Sequence, residues 1–202
     1  MRGEPILRHP RVVDQLGDAR DNQKRHQWRG MIGDIGRRED ELGGKTLVIV
    51  GLGRIGSRLA TLARAFDMKV IGVKRDPAAG GGAADVVVAN ERLCEVLADA
   101  DYLALTCPLT PATEKLIDGR ALRAMKPSSF LINVARGRVV DEAALIDALR
   151  ERRIAGAALD CVENEPLPDA SPLWDMDNVL DILIDNLERI WRGEPSLRNQ
   201  IA

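Results

Sequence analysis

From Lys45 to Leu180, short apolar runs rich in β-branched residues alternate with stretches of helical spacing. That alternation is the signature of βαβ units feeding a parallel sheet. Strands are predicted at Thr46–Val50, Lys69–Val73, Asp85–Ala89, Tyr102–Thr106, Phe130–Val134 and Ala155–Asp160, with a further start at Asn178–Leu180. Between the first two, Ile55, Leu59, Leu62, Ala63 and Phe66 recur at i, i+4, i+7, i+8 and i+11, which predicts a helix with one apolar face. A second helix is signalled by Asp141 as N-cap, by Leu145, Ala148 and Leu149 on one side, and by Arg150, Arg152 and Arg153 near its C-terminus.

The first 40 residues break this pattern. They hold 11 hydrophobic residues, well below the 45% of the whole chain, and so cannot build a core of their own. Asp18 to Arg29 reads as a polar helix stopped by Gly30 and Gly33. The organisation expected is an arm or linker at 1–40, a main domain at 41–180, and a helix at 181–202. A length of 202 residues suits one principal core.

Composition narrows the function. The balance of 29 basic against 31 acidic residues gives a net charge of −2 with no single-sign block, which argues against nucleic acid as a partner. Aromatic residues are only 3%, too few for a base-stacking platform. No apolar run approaches a membrane span, and no apolar stretch of signal-peptide type follows the charged N-terminus, so a cytoplasmic location is expected. Cys94, Cys107 and Cys161 are odd in number and widely spaced, which predicts neither a disulfide framework nor a metal site.

Candidate chemistry begins at Gly51-Leu52-Gly53-Arg54-Ile55-Gly56, which follows a predicted strand and opens a predicted helix. In that context a GxGxxG run binds a dinucleotide: the first glycine makes the turn, the second admits the pyrophosphate, and the third lets helix and strand approach. The anion sits at the helix N-terminus, beside Arg54 and Ile55. The fold class expected is therefore α/β, a doubly wound parallel sheet of Rossmann type with an N-terminal arm and a C-terminal helix. At the end of the next strand, where an acid would read an NAD ribose, stands Val73-Lys74-Arg75-Asp76. Two cations ahead of the acid favour the 2′-phosphate of NADP(H) over NAD(H). The alternative is that Lys74 and Arg75 are solvated loop charges.

Four further segments accumulate: Cys107-Pro108-Leu109-Thr110-Pro111-Ala112-Thr113, Met125-Lys126-Pro127, the run Asn133 to Glu142, and the run Ala158 to Pro168. With the glycine loop, in this order and spacing, they resemble the nucleotide-binding domain of the D-isomer-specific 2-hydroxyacid dehydrogenases, from about Glu41 to Leu180. The resemblance implies reversible hydride transfer between a nicotinamide cofactor, NAD(P), and a small 2-keto or 2-hydroxy acid, as in glyoxylate or hydroxypyruvate reductases. It assigns Arg136 to the substrate's carboxylate and keto oxygens. A guanidinium suits that task because its fork meets a carboxylate bidentately. It assigns Glu165 to a catalytic histidine, whose pKa a neighbouring carboxylate raises. Asp160 would meet the nicotinamide carboxamide, and Thr106, Pro108, Asn133 and Ala135 would line the cofactor cleft. The resemblance also implies a homodimer, paired through the stretch Trp28 to Gly36.

One segment departs from the family. Members continue the last strand through a Pro-His turn, whereas here Asn178-Val179-Leu180 runs directly into Asp181-Ile182-Leu183 with helical spacing. The two histidines present, His9 and His26, lie in the polar N-terminal region. A rival reading is therefore a catalytically silent dinucleotide-binding module that acts through protein association.

Overall fold

The computed structural model describes residues 41–176 and 178–180, together with 22 and 25–28. Seven strands form one parallel sheet: β1 (Thr46–Val50), β2 (Lys69–Val73), β3 (Val86–Val88), β4 (Tyr102–Leu105), β5 (Phe130–Asn133), β6 (Gly156–Leu159) and β7 (Val179–Leu180). Their order is β3-β2-β1-β4-β5-β6-β7, so the winding reverses between β1 and β4. That is the doubly wound arrangement expected. β1 and β2 have the predicted bounds, and the others are trimmed by one or two residues at their ends.

Buried runs such as Leu47-Val48-Ile49-Val50 explain why β1 sits centrally, since a strand covered on both faces has no polar side to expose. Val48, Val50, Leu103, Leu105 and Leu131 face α2 (Leu93–Leu97), α3 (Gly119–Ala124) and α4 (Glu142–Arg150). Leu47, Ile49, Val70 and Ala104 face α1 (Arg54–Ala65). Fully burying one such aliphatic side chain contributes roughly 1.5–3 kcal/mol, which makes this two-sided core the main source of stability.

Two helix starts follow from their side chains. Asp141 caps α4 by accepting from the Ala144 N–H at 3.3 Å, and Asp118 caps α3 by accepting from Arg120 and Ala121. In α1 the packing follows only part of the predicted apolar stripe: Ala63 is buried and Leu59 packs against the core. Its buried residues are Gly56, Ala60 and Ala63, whereas Ile55, Leu62 and Phe66 are exposed. The small side chains face the sheet because the glycine loop draws the helix into close approach, and bulky residues on that side would hold it off. The predicted polar helix at 18–29 and the helix at 181–202 lie largely or wholly outside the described residues.

Candidate dinucleotide and carboxylate site

In a parallel sheet all strands end on one edge, and most of the sequence-predicted site residues lie just beyond those ends. The glycine loop leaves β1 at Gly51, whose φ of 98° favours glycine. A Cβ there would lie 2.7 Å from the Cys107 backbone, and one at Gly56 would overlap the Gly51 carbonyl oxygen. Around Gly53, by contrast, a Cβ would meet nothing within 4 Å. Two glycines thus let the backbone close on itself, and the middle one faces open space. No side chain caps the N-terminus of α1 at Gly53, which leaves that helix end available to an anion. The loop therefore fits the pyrophosphate of a dinucleotide.

Thr106 fixes the loop from the neighbouring strand. Its hydroxyl donates to the Gly51 carbonyl at 2.7 Å, so the residue pins the first turn of the loop. After β4 the chain is held by Thr113, whose buried hydroxyl donates to the Pro108 carbonyl at 2.7 Å and accepts from the Thr110 N–H at 2.8 Å. At the end of β2, Lys74 Nζ donates to the Gly80 carbonyl at 2.9 Å. Asp76 accepts from the Ala78 N–H at 3.0 Å, capping a short 3-10 turn over Pro77–Ala79. Arg75 between them is exposed.

Beyond β5, Asn133 is buried and spends its amide on the turn that follows. Its oxygen accepts from Ala135 N–H at 3.0 Å, and its Nδ2 donates to the Arg136 carbonyl at 3.1 Å. Asn133 thereby aims Arg136, whose guanidinium donates to the Ala135 carbonyl at 2.6 Å and is otherwise presented to solvent. Beyond β6 come Asp160, Cys161 and Glu165. The Cys161 thiol is pushed up to about 11, chiefly by burial, with the carboxylates of Glu165 and Asp160 adding to the rise and the Arg136 guanidinium opposing it. Burial likewise raises the Cys107 thiol.

Two contacts here have no signal in the sequence pattern. Glu165 Oε1 accepts from the Val162 N–H at 3.2 Å, and Glu142 Oε2 accepts from the Glu163 N–H at 2.9 Å. Among the described residues no cluster of three or more His, Cys, Asp or Glu could hold a metal, and no helix is long and apolar enough to cross a membrane.

A doubly wound sheet with a glycine loop at its reversal point defines a Rossmann-type dinucleotide-binding domain. The family model described as D-isomer specific 2-hydroxyacid dehydrogenase, NAD binding domain, matches residues 10–181, and the chain belongs to that family. The glyoxylate reductase of Pyrococcus furiosus is 42% identical over 140 residues, covering 69% of this chain and 41% of the relative. A D-isomer specific 2-hydroxyacid dehydrogenase family protein from Aeromonas salmonicida superposes with a TM-score of 0.76 at 32% identity, over 95% of this chain and 64% of that one. A second such dehydrogenase, from Xanthobacter autotrophicus Py2 in complex with NADPH and MES, gives 0.70 at 34% identity, over 98% of this chain and 83% of that one. The chain spans 26–52% of the length of the first curated relatives it matches.

Proposed function

We propose that residues 41–180 are the nucleotide-binding domain of an oxidoreductase that transfers a hydride between NADP(H) and the C2 carbon of a small 2-keto or 2-hydroxy acid, with glyoxylate and hydroxypyruvate as first candidates. The observation that carries this reading is the glycine loop at the reversal point of the sheet, with an uncapped helix start and open space at Gly53, on the same sheet edge as the turn that presents Arg136. When bound, the nicotinamide ring supplies or accepts the hydride. Arg136 then holds the substrate carboxylate in its fork, and Glu165 supports the group that exchanges the proton. Asp160 orients the carboxamide edge of the cleft, and the turn at Ala135 and Pro108 forms its wall.

Preference for NADP(H) rests on Arg75, which is exposed beside a ribose-reading position where Asp76 is already engaged by Ala78. Homodimerisation is supported by the exposed apolar stripe of Ile55, Leu62 and Phe66 and by Trp28, which is 97% exposed. A reducing, cytoplasmic setting suits three free cysteines.

The silent-module alternative is favoured by one observation, the direct join of Leu180 to Asp181 where family members carry the Pro-His turn. Titrating the purified chain with NADPH and NADH, then following NADPH oxidation with glyoxylate or hydroxypyruvate, separates the two. Turnover supports the dehydrogenase. Tight binding without turnover supports the silent module, and absence of binding to either nucleotide defeats both.

A further inference from the structure

We infer that Glu142 is a positioning residue for the proposed reaction, holding the loop that carries Glu165 in register with Arg136. The inference rests on the functional reading above for what Glu165 and Arg136 do, but not for the clamp itself.

Glu142 is the first residue of α4, and its orientation is set by the residues that follow. Leu145 and Leu149, at i+3 and i+7, are buried against the sheet, so Glu142 stands on the same face of the helix at its sheet-edge end. Its neighbour Asp141 is used locally, as the cap of α4 and in an ion pair with Lys115 at 3.5 Å. Glu142 reaches across to the next loop and accepts from the Glu163 N–H at 2.9 Å, twenty-one residues on in the chain. A carboxylate in the first turn is also favoured by the positive end of the helix dipole.

The loop it grips has a second anchor. Gly137, next to Arg136, packs so closely that a Cβ there would overlap the Val162 carbonyl. Val162 and Glu163 are therefore held on one side by the backbone of the Arg136 turn and on the other by the Glu142 carboxylate. Glu165 closes the same loop through the Val162 N–H at 3.2 Å. The two amides thus have separate carboxylate partners, Val162 in Glu165 and Glu163 in Glu142. Without Glu142 the Glu163 N–H loses its partner, and the peptide two residues ahead of Glu165 is free to rotate.

The test uses the full chain and the variants E142A and E142Q. Glutamine keeps an oxygen that accepts from the Glu163 N–H, so it rescues a positioning role and alanine does not. The Glu163 amide proton should be protected from solvent exchange in the wild type and in E142Q, and lose that protection in E142A. With NADPH and glyoxylate, E142A should lower kcat about tenfold with NADPH affinity within about twofold, and E142Q should restore most of the loss. An E142A protein with unchanged kcat overturns the inference, as does equal damage by E142Q, or loss of NADPH affinity in parallel with kcat. Should the wild type turn over no keto acid, the functional reading fails and exchange of the Glu163 amide proton decides the clamp: protection lost in E142A and kept in E142Q upholds it, and unchanged protection in E142A overturns it. Should E142A not fold, protection of this proton in both the wild type and E142Q upholds the clamp, and rapid exchange in the wild type overturns it.

Discussion

The Thr106 hydroxyl donates to the Gly51 carbonyl at 2.7 Å, tying the end of β4 to the first residue of the glycine loop. The bond lies at the reversal point of the sheet, and a Cβ on Gly56 would come within 2.8 Å of the Thr106 hydroxyl oxygen. Replacing Thr106 by Val keeps the shape and removes the donor, leaving the Gly51 carbonyl without that bond. The expected cost is about 1 kcal/mol of stability, read by urea denaturation, with weaker NADPH binding. Thr106→Ser should recover both. Binding unchanged in the Val variant would separate the loop's shape from this hydroxyl.

At the end of β2 the acid and the cations have different occupations. Asp76 is engaged by its own turn and Lys74 by the Gly80 carbonyl, which leaves Arg75 exposed beside the proposed ribose position. NADPH is expected to bind at least as tightly as NADH in a fluorescence titration, and Arg75→Ala should weaken NADPH selectively. A preference for NADH of tenfold, or about 1.4 kcal/mol, would mean that Asp76 leaves its turn to read the ribose.

Much of this was legible in the chain because the signals are local. The bounds of β1 and β2 follow from apolar runs of five residues, and the capping role of Asp141 follows from a polar residue ahead of a helical stripe. The packing of α1 was harder to read, because hydrophobic periodicity ranks Leu62 and Phe66 above Ala60. Close approach to the glycine loop reverses that ranking. The Glu142 contact was hidden for another reason. It joins α4 to a loop in the next unit, and no periodicity encodes a bond across that separation.

Arg136 is aimed by backbone bonds from Asn133 and carries no ion pair among the described residues. Arg136→Lys keeps the charge and loses the fork, so it should cost about a hundredfold in kcat/KM for glyoxylate and leave NADPH affinity nearly unchanged. An unaltered kcat/KM would remove Arg136 from contact with the substrate.

The Cys161 thiol is raised from 9.0 to about 11, which sets a direction for stability at alkaline pH. Between those values the unfolded chain releases a proton that the folded chain retains. The thiol's contribution is therefore complete below about pH 9 and is lost as pH rises through about 11. Cys107, raised for the same reason, acts in the same sense. Thermal melts at pH 8 and pH 10.5 should show a smaller alkaline loss in Cys161→Ala than in the wild type. An equal loss in both would show that Cys161 does not contribute.

Gly137 joins the two halves of the proposed site, because its backbone lies directly against the Val162 carbonyl. Any side chain at 137 must displace main-chain atoms, since the opposing group is not a flexible side chain that could swing away. Gly137→Ala should therefore destabilise the domain by about 1–3 kcal/mol, the usual range for overpacking. It should also push the Val162–Glu165 loop away from Arg136, while the glycine loop at the end of β1 keeps its form. The expected signature is a lowered midpoint in thermal unfolding, altered amide resonances at 162–165, and NADPH affinity within about twofold of the wild type. If Gly137→Ala instead melts like the wild type, the loop gives way without strain. The contact would then be incidental to how Arg136 and Glu165 are held.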